Sequence, residues 1–179
     1  MKKWWLCLGL GLLALVVQGA LATLLPPPWC PDLGLLVVLC VGLRWRGLAA
    51  GLALAGGLGF SADWLSGSLV GQHGLLRVLA FASALIAGRQ LNLRAGLPLV
   101  AFVFAATLLY GIAAALISQF FLDMGWLPAS VWLGGILHAA INGLCAPWVA
   151  AGVRLLGVWA GDEDGVSRAL PIESSRRPV

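Results

Sequence analysis

Charge is scarce in this chain: 11 Lys and Arg and 7 Asp and Glu in 179 residues make 10% of the whole, against about 25% in an average soluble domain. With 61% of residues hydrophobic, no water-soluble fold can cover the apolar surface, and a soluble domain is excluded. Glutamate is nearly absent, and both copies, Glu163 and Glu173, lie near the C-terminus, so the apolar part of the chain holds no glutamate pair to activate water. The four cysteines, Cys7, Cys30, Cys40 and Cys145, form no C-x-x-C pair, and three lie in apolar runs where cysteine acts as a small hydrophobe. No Gly-rich phosphate loop follows a strand and no H-E-x-x-H occurs, so neither a cofactor nor a metal is implied.

What is present is long apolar sequence. Residues 4–25, 47–62, 69–88, 97–122 and 131–159 are each near or above the roughly 17–25 residues that cross a bilayer. Residues 33–43 are shorter, but 29–45 gives 17 residues bounded by Trp29 and Trp45, which suit the two headgroup regions. The pattern predicts an all-α integral membrane protein, a compact bundle of about six transmembrane helices over 1–160. A polar tail over 161–179 reads as disordered and cytoplasmic.

The basic residues fix an orientation. With the N-terminus inside, Lys2, Lys3, Arg44, Arg46, Arg89, Arg94, Arg168, Arg176 and Arg177 all fall on the cytoplasmic side. The opposite connections, 26–32, 63–68 and 123–129, hold no Lys or Arg. This positive-inside pattern supports six spans with both termini cytoplasmic and turns the formal net charge of +4 away from nucleic acid and toward the lipid bilayer. Lys2-Lys3 with Ala20-Leu21-Ala22 also matches a cleaved secretory signal, but residues 4–25 reach roughly 33 Å as a helix, and the chain is read as keeping them as its first span.

Gly47, Gly51, Ala55 and Gly59 recur every four residues and form a slanting ridge of small side chains for close helix packing, inside the bundle or against a partner's helix. Each ionisable residue in hydrocarbon needs a partner or a wet surface. Asp63 ends this ridge at the outer face, and Arg77 lies about 12 Å into the next span. Two arrangements fit: Asp63 pairs with Arg77 across the Ser-Gly-Ser turn, or Asp63 caps the turn or the fourth helix while Arg77 snorkels alone. His138 and Asn142, four apart, share a helix face and suit interhelical hydrogen bonds. The same H-x-x-x-N spacing occurs in some intramembrane proteases beside a glutamate pair that this chain lacks. Ser66, His73 and Asp63 name a Ser-His-Asp set but sit in a connecting turn, a weak frame for a triad. Pro147 is expected to kink the last helix or break it near Ala146.

Several of these residues carry a family resemblance. Pro31-Asp32-Leu33 opens the second span, and Asp63, Ser66, Gly67, Ser68 and Gly71 form the core D-x-x-S-G-S-x-x-G. Asn142-Gly143 and Pro147-Trp148 add a second patch in the last span. Across roughly residues 31–159 the chain resembles the MreD family of the bacterial rod-shape system. The resemblance implies a six-helix fold similar to the substrate-binding subunits of vitamin transporters. It also implies a non-enzymatic scaffold in the bacterial cytoplasmic (inner) membrane, supporting lateral peptidoglycan synthesis and cell shape. An MreC-like protein is the expected direct partner, with MreB, RodA and its penicillin-binding transpeptidase engaged through the complex and the motif residues as a partner surface. Two rival classes are a small-molecule transporter or its substrate-binding subunit, with Gln72, His73, Arg77, His138 and Asn142 around a cavity, and an intramembrane hydrolase dependent on His73 or His138.

Overall fold

The computed structural model describes residues 2–45, 47–67, 69–93, 95–122 and 128–160. Arg46, Ser68, Arg94, the 123–127 connection and the 161–179 tail, with its Arg168, Arg176 and Arg177, lie outside the described residues. The described chain is all-helical: α1 (Lys2–Leu24), α2 (Leu33–Arg44), α3 (Leu48–Ser66), α4 (Gln72–Gln90), α5 (Gly96–Leu122) and α6 (Ala129–Trp159). Four of these, α1, α3, α5 and α6, are long and apolar enough to cross a membrane. Large apolar side chains cover the outside, with Phe120 84% and Leu97 80% exposed, which inverts the rule for a protein in water and suits a hydrocarbon solvent.

The second helix differs from expectation. In place of a span over 29–45, α2 holds 12 residues, about 18 Å of helix. Pro26, Pro27, Pro28 and Pro31 explain the late start, because proline donates no backbone hydrogen bond and pushes the residue before it out of the helical region. Every residue from Gly34 to Leu43 is buried, so α2 is the central post of the bundle. A helix surrounded by protein has no need to span the hydrocarbon by itself.

The small-residue ridge is used internally. A Cβ on Gly51 would overlap the Phe81 ring of α4, and one on Gly59 would lie 2.5 Å from the His73 carbonyl oxygen. Ala55, between them, is fully buried. Gly47 instead faces the Trp4 ring of α1. From the other side Gly42 of α2 meets Ala84 and the Phe81 carbonyl, and Gly88 meets the Leu43 backbone, so α4 is held closely by both α2 and α3.

Contacts at one end set the helix directions. Trp4 and Trp45 meet edge to face at 5.5 Å, and Trp45 lies against Gly157. The start of α1 and the ends of α2 and α6 therefore share one end, which carries Arg44, Arg89 and Arg154. Helix α6 runs unbroken through Pro147, contrary to a break near Ala146, because packing holds the turn whose hydrogen bond proline forfeits.

Candidate functional site: polar groups inside the bundle

The start of α2 lies about 18 Å from the basic end at Arg44, short of the roughly 30 Å of a bilayer core. Its first N–H groups would be costly to leave unpaired there. Each finds an acceptor: Leu33 N–H donates to the Pro31 carbonyl at 3.1 Å, Gly34 to Gln18 Oε1 at 3.3 Å, and Leu35 to Asp32 Oδ1 at 2.9 Å. Asp32 is thus the N-cap of α2, and a carboxylate favours this end of the helix dipole.

The same carboxylate holds the buried cation. Arg77 Nη2 lies 3.0 Å from Asp32 Oδ1 and 3.3 Å from Oδ2, while Nη1 donates to the Leu58 carbonyl at 2.9 Å. The Arg77 side chain is 2% exposed and that of Asp32 15%. A Cβ on Gly34 would sit 2.8 Å from Nη1, so the guanidinium lies in space a glycine leaves open. Arg77 Nε makes no hydrogen bond among the described residues. Arg77 is therefore paired with Asp32, neither with Asp63 nor snorkelling alone.

Asp63 has another task. Its Oδ1 accepts from His73 N–H at 2.9 Å, and its Oδ2 from Gly71 at 2.9 Å and Gly74 at 3.2 Å. From α3 it caps α4, whose N-cap Gly71 takes φ 94, a left-handed conformation that glycine adopts readily. Asp63 is 1% exposed and lies against three backbone donors at the start of α4, the capping arrangement of the two that the sequence allowed. Gly67, at the end of α3, is also left-handed and closes that helix onto the Asp63 carbonyl. Ser66 Oγ donates to the same carbonyl at 3.5 Å. The His73 ring instead bonds Tyr110 Oη through Nδ1 at 2.6 Å, so Ser66, His73 and Asp63 are not arranged as a relay.

Asn142, fully buried on α6, ties the last helix to the central one. Its Oδ1 accepts the Asp32 N–H at 2.9 Å, which turns Nδ2 toward Thr107 Oγ1 and His138 Nε2, each at 3.4 Å. With Nε2 accepting, His138 Nδ1 is the donor to the Pro28 carbonyl at 3.3 Å. Gln72 Nε2, facing α5, donates to the Ala114 carbonyl and Ser118 Oγ. In the connection outside the helices, burial and the Asp32 carboxylate push the Cys30 thiol above its usual pKa.

Between α5 and α6 an open, mostly apolar groove of about 490 Å³ is lined also by Pro27 and Pro28. Of the residues expected around a cavity, His138 lines this space, and Gln72, His73, Arg77 and Asn142 do not. Thr107 and Tyr110 were not singled out by sequence reasoning, since one hydroxyl in an apolar helix gives no pattern; the only signal was that each is a lone polar group in a span. Chemically, both buried carboxylates are occupied by N–H or guanidinium donors, and no three His, Cys, Asp or Glu side chains converge among the described residues. Comparison with protein-family models, curated proteins and solved structures gave no match to this chain.

Proposed function

We propose that this chain is a non-enzymatic membrane scaffold of the bacterial rod-shape system, acting as MreD-like proteins do in lateral peptidoglycan synthesis. The observation that carries this reading is the use made of the motif residues. Asp32 and Asn142, 110 positions apart, bond directly, and Asp32, Asp63 and Gly71 form the starts of two helices. A catalytic motif would leave a carboxylate open to substrate; here the carboxylates are spent on helix ends, and the outer surface offers mostly large apolar side chains for neighbouring spans.

In this reading the helices form a six-membered bundle, similar to vitamin-transporter substrate-binding subunits, in the cytoplasmic membrane. The gathering of Arg44, Arg89 and Arg154 at one end supports both termini being cytoplasmic. The direct partner is an MreC-like protein, with MreB, RodA and its penicillin-binding transpeptidase reached through the complex. Asp63 and Asn142 are buried, while Ser66, Gly67 and Pro147 are exposed, so in this reading the partner surface is the apolar exterior together with these exposed motif positions. Depletion from a rod-shaped host, followed by microscopy, should give rounded cells; rods of normal width and length after depletion would reject the reading. A second reading, a small-molecule transporter or its substrate-binding subunit, is favoured by the α5–α6 groove alone.

A further inference from the structure

The connection between α1 and α2 runs deeper than a surface loop. Arg77 bonds both the Asp32 carboxylate and the carbonyl of Leu58, which lies about 12 Å in from the end of α3 at Ser66. The Asp32 N–H reaches Asn142, about 20 Å in from the start of α6, and the Pro28 carbonyl reaches His138, about 14 Å in. Residues 25–32 therefore descend, without helical structure, from the end opposite the basic one into the middle of the bundle. Irregular backbone at such depth persists only where protein covers it or water reaches it.

Protein does not cover it. Trp29 is 55% exposed, Pro26 and Pro27 are exposed, Cys30 is half-buried, and the Asp32 side chain is 15% exposed although its partner Arg77 is 2% exposed. Among the described residues, the Cys30 N–H and the carbonyls of Pro27, Trp29 and Cys30 have no hydrogen-bond partner. The prolines of the segment remove other N–H donors but leave these carbonyls in place. In hydrocarbon each of these groups, and the exposed part of a carboxylate, would be costly, whereas water solvates all of them. We propose that an aqueous crevice follows residues 25–32 from the end opposite Arg44 down to the Asp32–Arg77 pair, so that small hydrophilic molecules reach Cys30 and Asp32 from that side. The inference rests on the depth and the hydrogen bonding of this segment and stands apart from the rod-shape reading.

The native cysteines provide the test. Cys145 on α6, three residues past Asn142, is half-buried like Cys30, while Cys7 and Cys40 are buried. The full chain in phospholipid nanodiscs is treated at mildly alkaline pH with a membrane-impermeant sulfonated maleimide, or with permeant N-ethylmaleimide, and labelled peptides are mapped by mass spectrometry. Maleimides react with the thiolate, which forms in water and not in hydrocarbon. Cys30 should take up the impermeant reagent at least about tenfold faster than Cys145. It should also outpace a cysteine placed at the exposed apolar positions that bracket its level on α6, Ile136→Cys and Leu144→Cys. Labelling of Cys30 by N-ethylmaleimide alone, or by neither reagent before denaturation, would overturn the proposal. So would equal labelling of Cys30, Cys145 and the two introduced cysteines, since the level would then lie at the membrane surface. If the variants fail to fold, Cys30 against Cys145 in the wild-type chain decides.

Discussion

Arg77 is tolerated among apolar helices because its counter-charge is held at 3.0 Å and one further carbonyl takes a second of its N–H groups. Removing either member leaves a buried charge unpaired, so Arg77→Met or Asp32→Asn should destabilise the protein by about 3–5 kcal/mol, read as thermal unfolding by circular dichroism in detergent. The double variant Asp32→Asn with Arg77→Met should cost less than the sum of the two single changes, because the partners' penalties are shared. Charge reversal at both Asp63 and Arg77 should bring no rescue, since the Asp63 carboxylate serves backbone donors of α4. Additive losses at Asp32 and Arg77, or rescue through Asp63, would contradict this assignment. The pair was hard to read from sequence for a physical reason. Arg77 and Asp63 are neighbours along the chain, whereas Asp32 reaches Arg77 only because α2 begins deep within the bundle.

The packing of α3 turns on where its glycines point. Gly51 and Gly59 admit the Phe81 ring and the α4 backbone, while Gly57 of the same helix has nothing within 4 Å. Gly51→Ala should therefore lower stability by on the order of 1–3 kcal/mol through overpacking, whereas Gly57→Ala should be neutral or gain up to about 1 kcal/mol from helix propensity. Thermal unfolding of the two variants side by side checks this, and equal effects would remove the assigned ridge. The four-residue spacing in the sequence located the ridge, and the turn after α3 was legible from Ser66-Gly67-Ser68, whereas the left-handed Gly71 at the start of α4 shows only in the structure. The length of α2 was not. Flanking tryptophans suggested a span, but the prolines before Leu33 decided where a helix can begin.

As an assembly, the chain was legible as an apolar helical bundle from its hydropathy and scarce charge, because bilayer thickness sets helix length directly. Its interior connections were less legible: the Asp32–Asn142 bond joins residues 110 apart, and Thr107 of α5 meets the same Asn142 amide from 35 residues away. Bonds inside the bundle occupy Asp32, Asp63 and Asn142 and leave a mostly apolar exterior, which is the physical basis for the proposed reading of the molecule as a scaffold met by other membrane helices. The most direct measurement is affinity purification of the tagged full-length chain from a mildly solubilised rod-shaped host, with quantitative mass spectrometry against an unrelated membrane protein carrying the same tag. The account predicts strong enrichment of an MreC-like protein, with RodA and its transpeptidase at lower levels. No enrichment of an MreC-like protein over the control would contradict it.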